Sequence, residues 1–161
     1  MKKFKFKLDK LLGYKDQLLE NEMLTLAALN EEMGKANAEI KRLRAERERL
    51  AADMRGKADS KEGAKPADYQ IFSRYDNSLK EEIRGLKAVV ASLAVQIEKQ
   101  IEAIKKLKLE TKSLEIMKES KLAGYRKEAM KADELMIDEY VSTVKVMSAS
   151  RVAEGSAGGF I

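Results

Sequence analysis

A heptad stripe of apolar residues runs through this chain from Leu8 to Leu114 and breaks once, near residue 61. From Leu8 to Met54, fourteen positions step by four and three, and eleven of them are apolar; the exceptions are Lys15, Glu22 and Arg47. A second series runs from Leu79 through Ile83, Leu86, Val90 and Leu93 to Leu114, with Gln100 and Thr111 as its polar members. An apolar period of about 3.5 residues keeps one seam of each helix facing a partner, so it calls for supercoiled helices. The spacing predicts an all-α chain, a long two-helix antiparallel coiled-coil hairpin with a C-terminal single-helix overhang. Two paired helices enclose almost no space, so function is expected on the surfaces they present.

Composition narrows the chemistry further. Charged residues make up 37% and aromatics 6%, with one proline and no tryptophan, the profile of long helices rather than of a layered α/β domain. Cysteine and histidine are absent. That removes the commonest transition-metal ligands, thiol chemistry and histidine acid–base catalysis, and it fits a reducing compartment. No phosphate-binding glycine loop, nucleophile set or enclosed carboxylate pair is present. No enzyme activity, cofactor, metal or small-molecule substrate is expected. No stretch is apolar for long enough to span a bilayer. The basic start Met1-Lys2-Lys3-Phe4-Lys5-Phe6-Lys7 lacks the apolar run of a secretory signal, so a cytoplasmic location is expected. The formal charge of +5 suits nucleic acid or an acidic partner. In residues 41–49 (KRLRAERER), however, basic and acidic residues alternate, as on the solvated face of a coiled coil.

The break contains Gly56, Gly63 and Pro66. Glycine accepts the left-handed conformation past a helix end, and proline suits the first turn of a new helix. Asp68 then complements the helix dipole. The expected layout is one hairpin over 1–150, with helix 1 over 6–55, a loop over 56–65, helix 2 over 66–150 and a flexible tail over 151–161. Folding at residue 61 makes facing residue numbers sum to about 122, twice the midpoint of the break. Leu43 then faces Leu79, Ala36 faces Leu86, Leu29 faces Leu93, Glu22 faces Gln100 and Leu8 faces Leu114. Glu22 and Gln100 either form a polar layer that specifies register, at some cost in stability, or both bend out to water.

By the same sum, helix 2 has no intrachain partner from about Glu115 onward. The overhang keeps an apolar stripe of Leu122, Tyr125, Ala129, Ala132, Met136, Tyr140 and Val144, offset in phase because Leu114 to Leu122 is eight residues rather than seven. An isolated helix with such a stripe is poorly stabilised in water and wants a groove, a ring or another copy. Asp133, Glu134, Asp138 and Glu139 cluster beside it. A hard cation prefers a loop that wraps oxygen ligands around it, so a solvated acidic face or a contact for a basic partner is the better reading. Tyr69, Phe72 and Tyr75 open helix 2. They either cap the end of the coiled coil or form an aromatic anchor for a partner. Phe4 and Phe6, among four lysines, read as an apolar cap on the open end ahead of a phosphate-binding arm.

These residues together resemble the FliJ family of the bacterial flagellar export apparatus. The opening Phe4-Lys5-Phe6-Lys7-Leu8-Asp9-Lys10-Leu11-Leu12 is similar to the family's F-x-F-x-L-x-x-L-L start. Glu128-Ala129-Met130-Lys131-Ala132-Asp133-Glu134 is similar to its segment before the C-terminus, and residues 69–79 resemble its aromatic-rich start of helix 2. The Gly/Ser-rich end departs from the pattern. The resemblance implies a non-enzymatic coiled-coil protein, similar in shape to the central stalk of rotary ATPases. Its implied partners are an export ATPase (FliI-like), the ATPase regulator (FliH-like), the cytoplasmic domain of the export gate (FlhA-like) and export chaperones. Its implied place is peripheral to the inner face of the cell membrane at the flagellar base. Exposed surface then suggests which end meets which partner: Phe4, Phe6, Leu122, Tyr125, Met136, Asp133 and Glu134 toward the ATPase, and Tyr69, Phe72 and Tyr75 toward the gate. The competing readings are the equivalent stalk of a virulence type III secretion system, a basic nucleic-acid-associated coiled coil, and a homodimeric scaffold whose overhang pairs with its own copy.

Overall fold

Each apolar seam is satisfied by the other. The computed structural model of the chain describes residues 2–157, with side chains described through residue 155. The fold is all-α: α1 (Asp9–Ala58) and α2 (Pro66–Ala157) pack against each other. No strand occurs among the described residues. The chain forms two compact units. We call Lys15–Leu109 the loop unit, and Met1–Tyr14 with Glu110–Ile161 the terminal unit.

In the loop unit, every position of the two heptad series is buried or half-buried, including Lys15, Glu22, Arg47 and Gln100. The tightest layer is Ile40, Leu43, Leu79 and Ile83, with Leu50, Leu86 and Val90 packed against it. Leu43 is only 2% exposed. Burying one such side chain stabilises the fold by about 1.5–3 kcal/mol.

The turn between the helices is local chemistry. The carbonyls of Arg55 and Lys57 accept from the N–H groups of Asp59 and Ser60 at 3.0 and 3.2 Å, and the Ser60 hydroxyl donates to the Lys57 carbonyl at 2.7 Å. This closure carries α1 on to Ala58, past the expected end at residue 55. Gly56 therefore lies inside the helix, and Gly63, at φ 66°, takes the left-handed position. Helix α2 begins at Pro66, as its fixed φ and missing N–H favour. One residue earlier, the Lys65 N–H donates to the Asp68 carboxylate at 3.0 Å. That is the side-chain half of a capping box, and it holds the Asp68 carboxyl below the ordinary carboxylate range.

The terminal unit corrects the expected helix start. The chain is non-helical before Asp9 rather than helical from residue 6. Phe4, Phe6 and Leu8 are half-buried while Lys5 and Lys7 are exposed, so this segment buries side chains with period two. Phe4 meets Tyr125 and Asp9 meets Lys118. Five residues of the first segment thus span seven of α2, which requires a rise per residue greater than helical. Leu8 also lines a cleft with Met117 and Lys121. Helix α2 is therefore uncovered not from Glu115 but only beyond Tyr125. Ala129 and Ala132 are half-buried, and every described side chain from Asp133 to Gly155 is exposed. Helix α2 continues to Ala157, past the expected end at residue 150. The last four residues of the expected tail lie outside the described residues.

The phase offset in α2 has a simple form. Leu114, Lys118, Leu122 and Tyr125 are all half-buried, and they step by four, four and three. Such an eleven-residue spacing locally unwinds a left-handed supercoil without ending the helix. Asp68, Phe72, Asp76 and Leu79 repeat the spacing at the start of α2, and all four turn inward.

Candidate functional site

The terminal unit joins its N-terminal segment to α2 through aromatic and ionic contacts. The Phe4 and Tyr125 rings lie 5.6 Å apart at 49°, within the range of favourable aromatic pairs. The Tyr125 hydroxyl donates to the Lys2 carbonyl at 2.8 Å, and the Lys118 ammonium lies 2.6 Å from the Asp9 carboxylate. Phe4, Phe6, Leu8 and Met117 wall an open cleft of about 440 Å³ whose rim carries Lys5, Lys7 and Lys121. Phe4 and Phe6 are thus folded onto the helix, and the lysines around them are exposed. Of the residues expected together at this end, Phe4 and Tyr125 are in contact. Leu122 is half-buried nearby in the sequence. Asp133, Glu134 and Met136 stand further along α2 in solvent.

That uncovered stretch is strongly apolar. Met136 is 68% and Tyr140 72% exposed, and Met130, Ile137, Val141, Val144 and Met147 are also exposed. At about 100° per residue these side chains share one half of the helix circumference, while Leu135 and Val146 lie on the other. The four acidic residues spread round the helix instead of converging. No group that could hold a metal ion is found among the described residues.

The loop unit carries the second surface. Phe72 is half-buried, whereas Tyr69 and Tyr75 are exposed, so the three aromatics divide between packing and display. Tyr69 and Phe72 line an open cleft of about 280 Å³ against Met54 and Ala58. Phe72 and Tyr75 line another, of about 160 Å³, beside Ile71. The Tyr75 hydroxyl donates to the Glu46 carboxylate at 3.1 Å, which raises the phenol pKa. Ile71, 68% exposed, belongs to this surface. A reading that looks only for aromatics passes over it, although its place between Tyr69 and Phe72 was a usable signal.

Two polar layers interrupt the seam of the loop unit. The Gln100 amide donates to the Glu22 carbonyl at 2.8 Å and also to the Glu22 carboxylate. Arg47 and Asp76 form the other layer, with Nε 2.8 Å from Oδ1, and Lys80 lies 3.3 Å from the second carboxylate oxygen. The Arg47 hydrogen bond, followed by that of Lys80, holds the Asp76 carboxyl below the ordinary carboxylate range. Asp76 is absent from the heptad series. The rule that facing numbers sum to about 122, applied to Arg47, points to its neighbour Tyr75.

The described residues thus define an all-α protein of two long helices whose seam carries polar layers and whose surface displays apolar side chains. Residues 4–146 match the model of a protein family described as Flagellar FliJ protein. The chain belongs to the FliJ family. Members of this family are non-catalytic components of the flagellar export apparatus, which implies protein partners. Neither a curated protein nor a solved structure matches the chain. No helix of the described residues is long and apolar enough to cross a membrane.

Proposed function

We propose that this chain is the stalk and adaptor of the flagellar export ATPase, binding the ATPase ring through the terminal unit and the export gate through the loop unit. The observation that carries the reading is the exposed apolar face of α2 over residues 130–152. An apolar stripe on a single helix is stable only when something covers it, and the inner wall of a ring can do so along its whole length. The rim of lysines around the Phe4–Phe6 cleft gives the same unit charged contacts for acidic groups of that wall. Tyr69, Tyr75 and Ile71, displayed at the start of α2, have the character of binding anchors and suit the gate. The regulator of the ATPase and the export chaperones would join through these contacts.

The experiment is binding of purified export ATPase to the full chain and to Val144→Glu. Val144 is exposed on the single chain and has no intrachain packing to lose, so the substitution is expected to leave helical content unchanged. Burying a charge in the contact is expected to weaken binding about tenfold or more. Equal binding by both chains contradicts the assignment of this face. For the gate, Tyr69→Ala and Ile71→Ala together are expected to reduce capture of the gate's cytoplasmic domain while leaving ATPase binding intact.

A further inference from the structure

The uncovered end of α2 carries a third heptad seam. Met130, Asp133, Ile137, Tyr140, Val144, Met147 and Arg151 step by three and four, and all are exposed. Two of the seven are charged, one toward each end. Asp133 and Arg151 are eighteen residues apart, or about five helical turns, so they project in the same direction. Both stand in the middle of the apolar face. No described residue of the chain forms an ion pair with either of them.

We propose that this seam pairs with the same seam of a second copy, antiparallel about a two-fold axis between Tyr140 and Val144. In that register Asp133 of one copy faces Arg151 of the other, Ile137 faces Met147, and Tyr140 faces Val144. Symmetry makes each contact twice. The two ion pairs close the ends of an apolar centre, and the interface is isologous and self-limiting. Charge selects this occupant. A carboxylate or guanidinium covered in an apolar seam is costly unless it is paired. An unrelated helix would need an opposite charge at both positions with the right spacing, and a second copy supplies both. It also selects the direction, because a parallel pair sets Asp133 against Asp133 and Arg151 against Arg151. The inference concerns the free protein and stands apart from the ATPase reading, to which it adds that a second copy covers the seam first.

The test is sedimentation equilibrium of the full chain from low micromolar to near-millimolar concentration. The wild-type chain is expected to show a reversible monomer–dimer equilibrium. Asp133→Arg and Arg151→Asp are each expected to weaken self-association about tenfold or more, through like charges left facing one another. An equimolar mixture of the two variants is expected to associate again, since one chain then offers two arginines where the other offers two aspartates. Three results overturn the proposal: a monomer at every concentration, single variants that dimerise as tightly as wild type, or a mixture that associates no better than its components. The mixing step separates pairing from folding, because neither variant changes between the separate and mixed samples.

Discussion

Asp76 ties the stability of the loop unit to pH. Arg47 and Lys80 both stabilise its charged form, so its folded pKa lies below that of the unfolded chain. A carboxylate shifted in this direction adds stability above its unfolded value of about 3.9 and loses it as pH falls through the folded value. Asp76→Asn is therefore expected to cost about 1–2 kcal/mol near neutral pH, an amount moderated by the partly exposed Arg47. Urea unfolding should show this gap closing as the pH falls below about 4; a gap that stays constant from neutral pH into acid contradicts the ion pair. Thr111 predicts the opposite sign. It is 5% exposed, occupies a seam position in the terminal unit, and its hydroxyl has no hydrogen-bond partner. Thr111→Val keeps the shape and removes an unsatisfied polar atom, so it should raise stability by about 1 kcal/mol. A loss of that size in thermal unfolding would instead reveal a partner for the hydroxyl.

The helices show what a heptad pattern carries and what it omits. Both seams were legible because an apolar period near 3.5 has few solutions other than a second helix. The residue facing Gln100 was legible from the position of the loop. Three features were not. The inward turn of Asp76 follows a four-four-three spacing, which in sequence looks like the end of a heptad series. The non-helical course of residues 2–8 rests on a short alternation of phenylalanine and lysine, which the stripe starting at Leu8 masks. Its contact with Tyr125 was hidden because the facing rule assumes equal rise on both sides. The uncovered part of α2 keeps its helical hydrogen bonds without tertiary support, and such helices are marginal in water. At protein concentrations too dilute for any pairing, amides beyond about residue 133 should exchange much faster than those around Leu43 and Leu79. Uniform protection along α2 contradicts the absence of an intrachain cover.

For the molecule as a whole, membership of the FliJ family and the displayed surfaces lead to the same kind of function. The clefts of both units are open to solvent, and exposed apolar side chains stand beside them at Ile71 and along α2 beyond Met130. The formal charge of +5 adds a salt-sensitive attraction to acidic partners. If the terminal unit serves as the stalk of the export ATPase, a charge on its apolar seam must impair the ATPase and leave the chain folded. The most direct measurement is the ATP hydrolysis rate of the purified export ATPase alone, with the wild-type chain and with Val144→Glu at matched helical content. Stimulation by the wild-type chain is expected, and loss of most of it with Val144→Glu. Equal stimulation by the two chains, or none by either, contradicts the stalk role.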